Sequence, residues 1–457
     1  MPMNDLLIDS SPNAIPLHLF SADEWEAWIA SRPEAEQAWV KANGFSAKAG
    51  SVCVLPGDGG GIAAVLAGME TPLWSAGALP GKLPEGDYML AGAWEEDAAT
   101  DVATGFLLGG YTFGRYKDVT APKARLMWPG MANRAVAEAI ARGVCLARDL
   151  INTPANDMGP EELCAAVRAV GEQYGAEIKE LAGDELLANN YPTIHMVGRA
   201  ATRAPRLIDM RWGDPNAPKV TLVGKGVCFD TGGLDLKPAS GMLRMKKDMG
   251  GAASVLGLAH MIMATNLPVR LRVMVPAVEN AVAGNAMRPL DVVKTRKGLT
   301  VEIGNTDAEG RLILCDALAE ADTESPAVLL DCATLTGAAR VALGTDLPAL
   351  FCNDDKLASD LLDAGERAND PVWRLPLHQP YKEMLKSDVA DINNVSEGGF
   401  GGAITAALYM EHFVSAATPW AHFDMMAWNN SAKPGRPKGG EAQAVRGVFQ
   451  MLRRRFG

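Results

Sequence analysis

Between residues 160 and 331, short apolar runs alternate with segments of helical length, and this alternation constrains the fold more than any other feature of the chain. Residues 160–174 have helical spacing, 219–223 (Lys-Val-Thr-Leu-Val) read as a buried strand ending in Gly224-Lys225-Gly226, and 250–264 form a nearly all-apolar helix. Strands at 270–276, 299–303 and 327–331 and a helix at 312–321 continue the series. A strand that is apolar throughout has both faces covered, and helices supplied between such strands are what covers them. The expectation is an α/β domain with a mixed sheet flanked by helices. Ligands in such sheets bind beyond the carboxyl ends of the strands, so the loops after Val223, Ile303 and Leu330 are the places to look.

A chain of 457 residues exceeds what one core usually supports. Upstream, Ser21-Ala22-Asp23-Glu24 has capping-box spacing, with Trp25, Trp28 and Ile29 on one helical face behind it. The cluster Gly57-Asp58-Gly59-Gly60-Gly61 reads as a hairpin turn rather than a phosphate cradle, because no helix-opening pattern follows it. Residues 131–150 keep helical spacing through Val136, Ile140, Val144 and Ala147 and end at Asn152-Thr153-Pro154. The expected division is a smaller N-terminal α/β domain over 1–128, a linker helix over 129–152 and a large C-terminal domain over 153–457. Residues 433–440 read as a Pro/Gly-rich surface loop.

The net charge of −12 argues against a nucleic-acid partner. No apolar run approaches the ~18 residues of a membrane helix, and residues 1–17 lack a basic start followed by an apolar stretch. Seven scattered cysteines, an odd count without a C-x-x-C pair, read as buried free thiols of a cytoplasmic protein.

The stretch Asn305-Thr306-Asp307-Ala308-Glu309-Gly310-Arg311-Leu312 carries the densest chemistry. In an extended or loop segment, residues i and i+2 point the same way, so Asp307, Glu309 and Arg311 are expected to converge. Two carboxylates that close repel, and one takes up a proton unless a cation lies between them. The loop after the 219–223 strand adds Lys225, Asp230, Asp235 and Lys237, and Asp248 opens the next helix. A P-loop is excluded, since Gly226 and not Ser or Thr follows Lys225. Asp230, Asp248, Asp307 and Glu309 together balance two divalent cations, and such sites fit Zn2+, Mn2+ or Mg2+. A metal pair roughly 3–4 Å apart lowers the pKa of a shared water. His378, His412 and His422 lie outside these loops and read as packing residues.

The fragments Val223-Gly224-Lys225-Gly226, Phe229-Asp230-Thr231-Gly232-Gly233-Leu234, Met245-Lys246-Lys247-Asp248-Met249-Gly250-Gly251 and the octet from Asn305 occur in one order with matching spacing. Together with Ala333-Thr334-Leu335-Thr336-Gly337-Ala338 and Trp420-Ala421-His422-Phe423-Asp424, they resemble the leucyl (cytosol) aminopeptidase family over most of the second domain. The first ~125 residues match only faintly.

The resemblance implies a peptidase that removes the N-terminal residue, apolar and leucine-like, from peptides, using two divalent metal ions (Mn2+ or Zn2+). Asp230 and Glu309 would bridge the metals, with Asp307 completing one site and Lys225 and Asp248 the other. Lys237 would polarise the scissile carbonyl, and Arg311 would hold a bicarbonate acting as base. The substrate pocket would map onto Met245, Asn305, Thr334, Leu335 and Gly337. A homohexamer is implied as the assembly. Rival readings are a narrow dipeptidase, for instance on Cys-Gly, and a moonlighting DNA-binding regulator, which the acidic balance disfavours. The segment Met425-Met426-Ala427-Trp428 departs from the family's small-residue run, which opens the question of side-chain preference.

Overall fold

The computed structural model describes residues 5–457, so the first four residues of the expected N-terminal domain, and of the 1–17 stretch, lie outside the described residues. The chain forms two compact units, one from Met1–Cys145 with Ser431–Lys438 and the other from Leu146–Asn430 with Gly439–Gly457. A 19-residue helix, Arg134–Asn152, carries the chain from one unit into the other.

The first unit is built on a six-stranded sheet of β1 (Leu7–Ile8), β2 (Ile15–Phe20), β3 (Val52–Pro56), β4 (Ile62–Gly68), β5 (Gly86–Leu90) and β6 (Ala124–Met127), in the order β1-β6-β5-β2-β4-β3. Only β3 and β4 pair antiparallel, and the glycine cluster is the turn of their hairpin, closed by Gly57 N–H donating to Gly61 O at 2.8 Å. Ser21 and Glu24 complete the capping box, so the helix Ala22–Ala30 starts where its sequence says and turns Trp25 into a cluster with Phe20 and Phe45. Part of the stretch read as a surface loop belongs to this unit. Gly435 N–H donates to Gly77 O at 3.1 Å, and the Arg436 guanidinium lies 4.2 Å from the Trp74 ring. Contacts over so long a sequence separation leave no local signal.

The second unit contains β7 (Glu177–Ala182), β8 (Arg206–Trp212), β9 (Lys219–Gly224), β10 (Gly226–Asp230), β11 (Arg270–Asn280), β12 (Val292–Lys294), β13 (Thr300–Glu302), β14 (Val328–Ala333), β15 (Ala349–Cys352), β16 (Trp373–Arg374), β17 (Ile392–Asn393) and β18 (Trp420–Asp424). Nine of these form a mixed sheet in the order β16-β15-β18-β14-β9-β11-β8-β7, with β10 beside the far half of β11. The helix Gly250–Ala264 lies against the centre of this sheet and is buried at nearly every position, as its apolar sequence requires.

Two details of this sheet make the site. Val223 pairs with Met274 and Gly226 with Ala277, so β9, Lys225 and β10 run along β11 in one register as far as Val227, after which a bulge at Cys228 shifts the pairing by one residue and sets Asp230 opposite Asn280. Its other neighbour, β14, ends at Ala333 while this strand continues, and Lys225 N–H makes the last bond across, to Cys332 O at 3.0 Å. From Lys225 to Asp230 the strand therefore has no strand partner on that side, and the turn Met245–Met249 packs there instead.

The structure corrects two expectations. The strand around 299–303 forms as β13, but in a separate three-stranded sheet between β12 and β17. Only three residues long, it pairs with its own hairpin partner β12 and not with the central strands. The octet, moreover, is not an extended segment: the helix Glu309–Asp322 begins inside it. Asp307 and Glu309 converge because a turn meets a helix start, and Arg311, already helical, points to Asn394.

Candidate metal centre and active site

Asp230 ends β10 with Oδ1 fixed by two donors, Gly232 N–H and Asn280 Nδ2, both at 2.8 Å. The same Asn280 amide donates to Thr306 O at 3.1 Å, tying the end of β11 to the octet. A second staple joins the two loops: Thr306 Oγ1 donates to Gly232 O at 2.6 Å and accepts from Asp235 N–H at 2.8 Å, while Thr306 N–H donates to Asp235 Oδ2 at 2.7 Å. Asp307 is set by its own N–H donating to Asn305 Oδ1 at 2.7 Å, a local turn that brings the chain to Glu309 at the first position of its helix, where the helix dipole favours a carboxylate. From the other side, Asp248 sits in the single turn Met245–Met249 and accepts from Thr334 Oγ1 at 2.7 Å.

These anchors bring oxygens of Asp230, Asp307 and Glu309 within 4.8 Å of one another. Lys225 Nζ lies 2.8 Å from Asp248 Oδ2 and 2.9 Å from Glu309 Oε1. Lys237 Nζ lies 2.8 Å from Asp230 Oδ2 and also pairs with Asp307. Two ammonium groups thus face four carboxylates. The remaining crowding shows in the acids: burial and the charge of Asp230 push Asp307 up to about 6 and Glu309 up to about 8. Against burial, which would lower them, the facing carboxylates hold Lys225 and Lys237 well above the ordinary lysine range.

The donor set fits divalent cations. Glu309 Oε2 is buried without any hydrogen-bond partner, and Glu309 Oε1 and Asp248 Oδ2 meet Lys225 at ion-pair distance without hydrogen-bond directionality. Buried carboxylate oxygens without partners are costly. Cations placed among them would remove that cost, would keep Asp307 and Glu309 ionised, and would release the Lys225 proton so that its amine can ligate. Arg311 is buried, which lowers it from the usual arginine range; it donates to Asn394 O and leaves Nε without a partner. An anion would satisfy that nitrogen.

The twelve residues given metal, catalytic or substrate roles by the resemblance all line one cavity of about 370 Å³: Lys225, Asp230, Lys237, Met245, Asp248, Asn305, Asp307, Glu309, Arg311, Thr334, Leu335 and Gly337; Asp235, of the same loop, does not, and holds Thr306 instead. The same cavity is lined by residues the sequence reading passed over. Lys247 is buried beside Asp248, and Arg340 is on the helix that starts at Gly337. Burial first, then Arg340 and Lys225, push the Lys247 amine down to about 7. Asp424 accepts from Leu335 N–H, Thr336 N–H and Thr336 Oγ1 and so shapes the loop after β14, and Asn394 holds the backbone of Gly304 and Asn305 through Oδ1. Lys247 stood inside a recognised fragment and could have been found there; Asn394 carries no local signal. The histidines stay outside the cluster, His422 Nδ1 meeting Asp331 Oδ1 at 2.6 Å in the core.

A carboxylate cluster with two lysines, at the carboxyl edge of a mixed α/β sheet, has the donor set of a divalent-cation site of the kind that activates water. The sequence profile of the cytosol aminopeptidase family catalytic domain matches residues 145–449, and that of the M17 aminopeptidase N-terminal domain matches 15–129. A "Probable cytosol aminopeptidase" of Roseiflexus castenholzii is 42% identical over 376 residues, covering 78% of this chain and 77% of that protein. The crystal structure of a cytosol aminopeptidase from Coxiella burnetii superposes with a TM-score of 0.95 at 49% identity, covering 99% of this chain and 100% of the other. The bottromycin maturation enzyme BotP in complex with Mn superposes with a TM-score of 0.87 at 34% identity, over 97% of this chain and 99% of that one. The chain belongs to the cytosol aminopeptidase family. It is therefore an aminopeptidase, a metal-dependent hydrolase acting on peptides.

Proposed function

We propose that residues 153–457 remove the N-terminal residue of peptides with the help of two divalent cations, Mn2+ or Zn2+, held by Lys225, Asp230, Asp248, Asp307 and Glu309. The observation that carries this reading is the convergence of Asp230, Asp307 and Glu309, with Glu309 Oε2 buried and unpartnered. When bound, the cations supply a water acidified to near neutrality and a positive centre for the substrate's free α-amine. The chain's own residues do the rest. Lys237, on the flank of the cluster, stabilises the negative charge that develops on the scissile carbonyl oxygen. Arg311, with its Nε free, would hold a bicarbonate that would supply the base for the attacking water; the described cavity residues include neither a histidine nor a spare carboxylate for that task. Met245 and Leu335 offer apolar walls to the substrate side chain, with Asn305, Thr334 and Gly337 completing the pocket.

Manganese as one resident metal is supported by the Mn complex of the related BotP. A cytoplasmic location is supported by seven buried free cysteines and by the names of the relatives; no helix among the described residues is long and apolar enough to cross a membrane. A homohexamer follows from the family resemblance, and light scattering on the purified protein checks it. The central test is hydrolysis of leucine p-nitroanilide before chelation, after it, and with Mn2+ or Zn2+ restored. Activity should vanish and return; activity indifferent to the chelator overturns the mechanism.

A further inference from the structure

Six lysine or arginine side chains are buried among the described residues: Arg148, Lys225, Lys247, Arg272, Arg311 and Arg446. Four are ion-paired, Arg148 with Glu441, Lys225 with Asp248 and Glu309, Arg272 with Asp209, and Arg446 with Asp370. The two without a carboxylate partner, Lys247 and Arg311, line the same cavity. Arg311 is accounted for by Asn394 and by the anion role proposed above. Lys247 is not. It is 2% exposed, no carboxylate lies within ion-pair distance of its ammonium, and its neighbour Lys246 is satisfied elsewhere, on Asn152 O at 2.5 Å.

A second cation stands beside it. Arg340 lines the cavity without an ion pair or side-chain hydrogen bond, and its Nη2 lies 3.8 Å from where a Cβ on Gly337 would be, so the guanidinium reaches back to the start of its own helix. Asp424, the nearby acid outside the metal cluster, cannot serve both, because its oxygens already accept from Leu335 N–H, Thr336 N–H and Thr336 Oγ1. A buried cation without a counterion is strongly unfavourable, and this fold pairs such charges elsewhere. Two left open on the wall of a substrate cavity form a receptor for a carboxylate.

We infer that this cavity favours peptides whose N-terminal residue carries a side-chain carboxylate, glutamate above leucine, with Lys247 and Arg340 as the specificity-determining residues. The inference rests on the aminopeptidase reading of the same site and goes beyond its apolar walls. The carboxylate belongs to the side chain and not to the C-terminus of a dipeptide, because Lys247 shares a turn with Met245 and Arg340 shares a helix with Gly337, the residues that bound the side-chain pocket. A glutamate can lay its methylenes along Met245 and place its carboxylate between the two cations.

The test is kcat/KM of the metal-loaded enzyme on glutamyl, aspartyl, leucyl and lysyl aminomethylcoumarin amides, which have no second carboxylate, and on Leu-Gly against its C-terminal amide. The glutamyl amide should match or exceed the leucyl one, and the lysyl amide should be the poorest. Lys247→Met and Arg340→Met should each lower the glutamyl-to-leucyl ratio at least about tenfold, the loss of one charge-assisted hydrogen bond. Arg340 is half-exposed, so its variant remains informative if Lys247→Met folds poorly. Calorimetry should show L-glutamate binding the metal-loaded enzyme more tightly than L-leucine, and that difference shrinking in either variant. A glutamyl kcat/KM below the leucyl value, or a ratio unmoved in both variants, overturns the inference while leaving the aminopeptidase intact. Preference for Leu-Gly over its amide that disappears in Lys247→Met overturns it by moving the carboxylate to the substrate's other end. If no amide is cleaved with any metal, the reading beneath it fails, and the inference falls with it.

Discussion

Gly310 leaves the space that Lys225 occupies: a Cβ on it would lie 2.5 Å from Lys225 Cε and 2.8 Å from Nζ. The glycine of the octet thus keeps open the position from which Lys225 reaches Asp248 and Glu309. Gly310 is inside a helix, where alanine would ordinarily be stabilising. Gly310→Ala should nevertheless destabilise the fold by about 1–3 kcal/mol through overpacking and displace the lysine. Metal analysis should show less than two ions per chain, with kcat/KM down by roughly 10–100-fold, as for loss of support around a metal ligand. Full metal content and normal activity would show that Lys225 does not need this space.

Thr306 joins the two halves of the site through one hydroxyl, donating to Gly232 O and accepting from Asp235 N–H. Thr306→Val keeps the shape and leaves both backbone groups unsatisfied. A loss of about 1–3 kcal/mol in denaturant unfolding is expected. Metal affinity should fall too, because Asp230 and Asp307 lie on the two loops this hydroxyl holds together. A stability loss with unchanged affinity would mean that Asn280 and the Thr306 N–H bond to Asp235 hold the loops without the hydroxyl.

Lys237→Ala and Arg311→Ala should lower kcat with metal content still near two per chain. Lys237 stands as countercharge to Asp230 and Asp307, so its removal leaves the cluster more negative and no poorer for cations. The loss should be about 100–1000-fold for Lys237, the scale of a missing oxyanion donor. For Arg311 it should be about 100-fold or more, with the rate no longer responding to added bicarbonate. Loss of metal in either variant would reassign that residue.

The central sheet, its covering helices and the ligand cluster were legible because each rests on a local pattern: unbroken apolar strands, caps, and carboxylates at fixed spacing. Glu309 and Arg311 were correctly gathered with Asp307, but for a reason that failed, since their shared location comes from a helix start and not from strand alternation. The second tier was not legible. Asn280, Asn394 and Asp424 act by accepting or donating to backbone far away in sequence, and an Asn or Asp in a strand end or loop looks the same whether or not it does so. Lys247 was overlooked for a different reason. Beside a metal-site aspartate a lysine reads as a neutral surface residue, and only burial without a partner marks it.

Without metal, stability and pH are linked through the two raised carboxyls. Burial and the Asp230 charge raise Glu309 from an ordinary 4.5 to about 8 and Asp307 from 3.8 to about 6 in the folded chain. Between those values the folded state binds more protons than the unfolded one, so the stability of unfolding falls as pH rises through the window. The facing ammonium groups of Lys225 and Lys237, raised above the ordinary range, stay charged throughout and do not cancel the slope. The melting temperature of chelated protein should therefore drop between about pH 5 and pH 7, above which Lys247, pushed down to about 7, gives up its proton in the folded state first and offsets the slope. Cations compete with those same protons, so metal-replete protein should hold or gain stability over that range, and the gap between the two curves should widen with pH. Parallel curves would mean that the protons on Asp307 and Glu309 and the bound cations do not share a site.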